Sequence, residues 1–218
     1  MDNWRRHVRE IQIQHHVNKE VPDFPRVEKV IHVLRGMLAG KLLDVGYSPG
    51  SFADYLAEVG WECVGLTLTR PECPKVQIVQ CDLNDGFPIK SESSDVITAG
   101  EIIEHMIDER AFLEECRRVL KLGGLLVLTT PNLAFLLNRL LIMAGRVPMF
   151  VYAPYHYHFH TRRTIVRLVE EHGFRVEKVS SSHVLYSRRR HPSGRVFEWL
   201  GDLFPTFGAH LIVFAKKH

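Results

Sequence analysis

The chain has 218 residues, 45% of them hydrophobic and 24% charged, with a formal net charge of +3. These values describe one globular domain with a sizeable core and exclude a disordered or collagen-like chain. The charge is too small to argue for a nucleic-acid partner by itself, so none is expected. The N-terminus, Met1-Asp2-Asn3-Trp4-Arg5-Arg6, lacks the apolar run of a signal peptide. Cys63, Cys73, Cys81 and Cys116 contain no C-x-x-C pair and read as reduced thiols of a cytoplasmic protein. The most apolar window, Leu133–Met143, is too short to span a bilayer and is interrupted by Asn138-Arg139.

In chain order, residues 3 to about 18 and 26 to 38 read as helices, with Pro22 and Pro25 breaking between them. Strand-like runs follow at Leu42–Val45, Glu62–Leu66, Val76–Gln80, Val96–Ala99 and Leu125–Thr129. Helices are predicted over Ser51–Val59 and Glu109–Leu120, the second ended by Gly123-Gly124 as a C-cap. This alternation predicts a three-layer α/β sandwich, Rossmann-like, with a mostly parallel seven-stranded sheet. A helix at Thr161–His172, opened by Thr161 as N-cap, precedes strands Arg175–Ser180 and His210–Ala215. The stretch between those strands looks too short and polar for a crossover helix, so the last strand is expected to run antiparallel. The whole chain, 1–218, reads as one domain, with N-terminal helices at 1–38, a lid-like insertion at 133–160 and a second insertion at 183–207.

The most informative stretch is Leu42-Leu43-Asp44-Val45-Gly46-Tyr47-Ser48-Pro49-Gly50-Ser51-Phe52. A buried strand runs into an acid and a D-x-G-x-x-x-G turn, and a helix starts directly after. That order holds nucleotide-like ligands above the carboxyl end of a parallel sheet. A nicotinamide dehydrogenase is excluded, because G-x-G-x-x-G and an acid about twenty residues onward are both missing.

LLDVGYSPGSF (42–52), QCDLNDGFPIKSESSDVITAGEIIEHM (80–106), CRRVLKLGGLLVLTTPN (116–132) and HFHTRRTIVRLVEEHGF (158–174) occur in an order and spacing that resembles class I S-adenosylmethionine-dependent methyltransferases. The ubiquinone-biosynthesis O-methyltransferases and the type 11 and type 23 methyltransferase domains are the most similar group. The resemblance spans about residues 30–180 and the closing strand. It implies S-adenosyl-L-methionine as cofactor, with Asp44, Gly46, Tyr47, Ser48 and Gly50 around its methionine and ribose parts. It further implies Asp82 accepting from the adenine amino group, Cys81 and Leu83 beside it, and Gly100 and Glu101 at the reactive sulfonium. Two positions depart from the pattern. Thr67 stands where a carboxylate usually grips the ribose diol, and a hydroxyl cannot do so bidentately. Ser48, beside Pro49, replaces the middle glycine of the loop.

Other readings stay open for several residues. Asp44 can cap its turn, and Asp82, before Asn84-Asp85-Gly86, can form one. Glu101, Glu104 and His105 form E-x-x-E-H, which helical spacing would place on one face; Glu104-His105 can equally be a helix-start unit. The same letters occur in metal-binding small-RNA 2′-O-methyltransferases, but metal-free relatives share them, so no metal is expected. Tyr155-His156-Tyr157-His158-Phe159-His160 lines an acceptor pocket or packs a loop, with His158 as the favoured pocket member. Ala134–Met143 is a lid helix, or a contact for a hydrophobic acceptor or a membrane surface. Arg188-Arg189-Arg190-His191 is a solvated loop or an anion contact.

The resulting expectation is an O-directed methyltransferase for a small molecule or glycan, with His105 and His158 as candidate bases and Glu104 orienting. The alternatives are a non-catalytic cofactor- or partner-binding module, motivated by Thr67 and Ser48, and a metal-assisted RNA 2′-O-methyltransferase.

Overall fold

The computed structural model describes residues 24–153, 155–185 and 193–218. The expected helix over residues 3–18 and the Arg188–His191 run lie outside the described residues. Strand β1 (Lys41–Val45) is buried at four of its five positions, which suits only the middle of a sheet covered on both faces. It pairs in parallel with β2 (Glu62–Thr67) on one side and β4 (Ser94–Gly100) on the other. With β3 (Gln77–Gln80), β5 (Leu120–Pro131), β6 (Phe174–Ser181) and β7 (His210–Lys217), the sheet runs β3-β2-β1-β4-β5-β7-β6. β7 is antiparallel to both β5 and β6. This is the Rossmann-like sheet with an antiparallel last strand that the sequence predicts.

The two-residue period of each strand builds two separate cores. Leu43, Val45, Ile97, Ala99, Leu126 and Leu128 face helices α3 (Glu109–Val119) and α5 (Arg162–Glu171). Leu42, Val96, Leu125, Val127, Ile212 and Phe214 face α1 (Phe24–Arg35) and α2 (Phe52–Ala57). Asp44 and Thr98 share the period of this second set, so the sheet turns two polar side chains toward α2 at the ligand end. Helix α4 (Leu136–Met143) follows β5, and α6 (Gly194–Leu203) packs beside β6.

Three local expectations need correction. Helix α3 stops at Val119 because Leu120 is already extended, so Gly123-Gly124 is no C-cap. Instead the β4–β5 register jumps from Ser94↔Leu120 to Val96↔Leu125, and Lys121–Gly124 loop out opposite Asp95 alone. The stretch between β6 and β7 does hold a helix, α6, plus a 3-10 turn at Pro205–Phe207. Antiparallel neighbours need no crossover. Helix α6 therefore folds back on α1's side, where Lys29 donates to the carbonyls of Ser181 and Glu198 and pairs with Asp202 at 2.9 Å. Finally, Glu101-Ile102-Ile103-Glu104-His105 forms a left-handed residue and a 3-10 turn at Ile103–His105, not a helical face.

Gly65 is required by close approach. A Cβ there would lie 2.7 Å from the Tyr47 ring, which is buried between β2 and α2. Gly65→Ala is therefore expected to lower stability by about 1–3 kcal/mol through overpacking. A urea midpoint that falls at unchanged slope would confirm this, and an unchanged midpoint would show that the Tyr47 ring yields freely.

Candidate active site

The turn after β1 is built around Asp44, which is almost fully buried. Its Oδ1 accepts from Thr98 Oγ1 at 2.7 Å, and its Oδ2 accepts from Ser51 Oγ and, at 3.3 Å, from the Ala53 amide. Burial raises the carboxyl pKa to about 6 despite these donors. Asp44 thus ties β1 to β4 and to the first turn of α2. Gly46 turns the chain at φ +83°, and its amide and that of Tyr47 both donate to the Leu66 carbonyl. Tyr47 sends its side chain inward, its hydroxyl donating to Asp54 at 2.8 Å, so only its backbone faces the mouth. Ser48 is exposed, and Gly50, whose amide donates to Asp54, has open space where a Cβ would stand.

At the outer end of the sheet the Thr67 hydroxyl donates to the Thr69 carbonyl at 3.1 Å, and the Cys81 amide donates to Thr67 O. Thr67 therefore closes its own loop. Burial pushes the Cys81 thiol up to about 11. Asp82 caps the 3-10 turn Leu83–Asp85, its Oδ1 accepting from the Asn84 amide and side chain. Its Oδ2 has no hydrogen-bond partner among the described residues. A cavity of about 490 Å³ opens here, lined in part by Gln80, Cys81, Asp82 and Glu115. Leu83, beside Asp82, is buried.

At the end of β4, Gly100 leaves room for the Phe52 ring and the Arg26 guanidinium, either of which a Cβ would crowd. Glu101 adopts φ +53°, a left-handed conformation that a side-chain-bearing residue holds only when its surroundings fix it. Those surroundings are the Thr129 hydroxyl, donating to Glu101 Oε1 at 2.9 Å, Arg26 Nε at 3.8 Å and His210 Nε2 at 3.7 Å. Arg26 comes from α1 and also donates to Thr129 Oγ1. His210 opens β7, and Phe150 from the segment 133–160 packs against its ring. The Asn132 side chain donates to the carbonyls of Thr206 and Gly208, fixing where the chain leaves β5.

Glu104 is buried, with Thr130 Oγ1 donating to its Oε2, while Oε1 accepts no hydrogen bond among the described residues and lies 4.0 Å from His105 Nε2. Burial first, and the Glu101 charge second, hold its carboxyl well above the usual range. His105 Nδ1 lies 3.0 Å from the Tyr155 carbonyl, and its ring contacts those of Tyr155 and His156. One ligand-type atom from each of Glu104, His105 and His156 falls within 4.8 Å of the others. His158 is held elsewhere: its Nδ1 is 3.5 Å from Glu109, which His160 Nε2 also meets at 3.1 Å. Burial raises the Glu109 carboxyl, but these two imidazoles and Arg110 outweigh it, and the net shift is downward.

The structure thus gathers Asp44, Gly46, Glu101, Glu104 and His105 at the carboxyl ends of β1, β4 and β5, and Asp82 at the outer edge. It groups His156, rather than His158, with Glu104 and His105. Sequence reasoning singled out neither Arg26 nor His210, and within the aromatic and histidine strip it favoured His158 over His156. His210 did carry a signal: an antiparallel last strand brings its first residue to the edge where the parallel strands end, here opposite Pro131. Arg26 carried none.

Residues 10–179 match the methyltransferase domain family. The chain belongs to that family. Within it, the chain is 32% identical over 163 residues to a probable S-adenosylmethionine-dependent methyltransferase of Mycolicibacterium smegmatis, covering 71% of this chain and 60% of the relative. It is 31% identical over 110 residues to the mitochondrial ubiquinone biosynthesis O-methyltransferase of Homo sapiens, covering 44% and 30% respectively. The chain therefore spans between about a third and three fifths of the length of these curated relatives. In fold it is similar to an S-adenosylmethionine-dependent methyltransferase from Thermotoga maritima, at a TM-score of 0.68 and 19% identity, covering 97% of this chain and 99% of that one. The methyl donor named in these relatives is a cation, and the methyltransferase turn seen here, with a buried acid and open glycine backbone, fits it.

The Asp44 carboxyl gives a test of how this turn is held. Its folded pKa of about 6 lies above its ordinary 3.8, so the proton binds more tightly in the folded state. The contribution of Asp44 to stability is then fully present below about pH 4 and falls as it ionises, by about 3 kcal/mol once pH is well above 6. Asp44→Asn cannot titrate, so its stability relative to wild type should climb by that amount between pH 4 and 7. Parallel pH profiles of melting temperature would contradict it.

Proposed function

We propose that this domain transfers the methyl group of S-adenosylmethionine to an oxygen of a small molecule or glycan. The observation that carries the reading is His105 beneath the lid segment. A carbonyl only accepts, so the Tyr155 contact keeps the proton on Nδ1 and makes Nε2 the basic nitrogen of the neutral ring. Gly46 and Asp82 would hold the two ends of the cofactor, with Asp44 supporting the turn and Gly100 and Glu101 bordering the sulfonium. Bound there, the cofactor supplies an electrophilic methyl group. His105 takes the proton of the acceptor hydroxyl as that oxygen attacks and the carbon–sulfur bond breaks. Glu101 favours a cationic donor over its neutral product by simple attraction. The lid segment, tied down where the Tyr157 amide donates to the Glu104 carbonyl, keeps water out and sets acceptor choice. The unpaired cysteines support a reducing, cytoplasmic setting.

A second reading has its own observation. Glu104 Oε1 accepts no hydrogen bond among the described residues, and with His105 and His156 close by it suits a divalent cation that would polarise the acceptor hydroxyl. Calorimetry with Mg²⁺ or Mn²⁺ separates the two: metal heat lost in Glu104→Gln favours the cation, and no heat favours His105 alone.

The test of the main reading is tritiated-methyl transfer to phenol, sugar and short RNA acceptors, with cofactor affinity measured separately. His105→Ala should lose about 10²- to 10⁴-fold in turnover while cofactor affinity stays near wild type. Label found only on nitrogen or sulfur would overturn the oxygen reading. Cofactor binding with no transfer to any acceptor would favour a non-catalytic module.

A further inference from the structure

On the described surface, α4, α6 and the segments next to them expose several large apolar side chains. Met143 is 83% exposed, Tyr152 77% and Trp199 60%, and Leu140, Ile142 and Phe204 are exposed beside them. Contacts among their elements bring them to one side of the domain. The Met149 amide donates to Asn138 Oδ1 and folds the loop after α4 back on the helix. Arg139 of α4 lies over the Phe207 ring at 4.6 Å and donates to Thr206, joining α4 to the turn that follows α6. The face adjoins the mouth of the site, because Phe150 of the same loop packs on His210 beside Glu101.

Its charge has one sign. The sequence contains no Asp or Glu from Cys116 to Val169. On α6, Glu198 is buried and Asp202 is taken up by Lys29 and Ser180, so neither is turned to this surface unpaired. Arg139, Arg146 and Arg195 pair with no acid among the described residues. A second copy of the chain would set these cations against themselves in a two-fold contact, which repels. An anionic lipid surface satisfies both features: headgroups meet the arginines, and the acyl boundary takes the aliphatic and aromatic side chains. Helix α4, eight residues long, reaches about 12 Å, against a hydrocarbon core about 30 Å thick. It can therefore lie on a bilayer but not cross one.

We infer that the α4–α6 face docks this domain on an anionic lipid bilayer, with the mouth of the site turned toward the membrane. The docking stands apart from the methyl-transfer reading; drawing the acceptor from the bilayer rests on it. The full chain is sedimented with vesicles of phosphatidylcholine alone and of phosphatidylcholine with phosphatidylglycerol, at low and high salt. Binding is expected to the mixed vesicles, weakened by salt, and weakened roughly fivefold by Arg146→Gln or Arg195→Gln. Met143→Glu should abolish it and leave cofactor affinity unchanged, which shows that fold and site are intact. Absence of binding to mixed vesicles, equal binding to neutral ones, or binding unaffected by Met143→Glu overturns the inference. So does a dimer in solution that Met143→Glu dissociates, since the face then belongs to a second copy.

Discussion

Asp44 ends β1 beneath the first turn of α2, and three separate parts of the chain donate to its two oxygens. Ser51 and Ala53 come from the turn and helix, and Thr98 from the neighbouring strand. A carboxylate buried this deeply is costly unless its lone pairs are filled, and the raised pKa shows that these donors do not fully offset the burial. The arrangement fixes the path of the backbone at Gly46 and the position of α2. It also puts negative charge close to where a cationic donor would sit. Stability at this point is exchanged for a preformed site.

The rest of the mouth repeats the pattern. Glu101 is held in a left-handed conformation between Thr129, Arg26 and His210, and Glu104 is buried with one oxygen that accepts no hydrogen bond among the described residues. Four separate segments, α1, the β4–α3 turn, β5 and β7, contribute to it, so the site forms only when the sheet is complete. The segment 133–160 is anchored at both ends: Asn132 is tied to the turn before β7, and Asn132 and His160 form a bridge. Between those anchors lie the apolar residues that face outward. Such a segment can adapt to an acceptor or a surface without disturbing the sheet beneath it.

The sheet was legible because both of its signals are local. Apolar strands such as Leu42–Val45 have one environment that satisfies both faces, and glycine turns mark where they end. Thr161 capped its helix as expected, because N-cap chemistry involves only the next three residues. The E-x-x-E-H run misled, because helical spacing assumes a helix, and Glu101 at positive φ prevents one. The aromatic and histidine strip was less legible for another reason. Alternation says which residues share a side, but Glu109, which draws His158 and His160 away from Glu104, lies some fifty residues earlier in sequence. Arg26 was invisible, since its role depends on α1 packing across the mouth and on Gly100 leaving space for it.

The central claim is that the Asp44 turn and the Asp82 edge form one cofactor site across the carboxyl ends of β1 to β4. A crystal structure of the full chain with S-adenosylhomocysteine tests it most directly. The account places the sulfur beside Gly46 and Glu101 and the adenine amino group within hydrogen-bond distance of Asp82 Oδ2. Adenine bound away from Asp82, or a saturating ligand that leaves this edge empty, would contradict it.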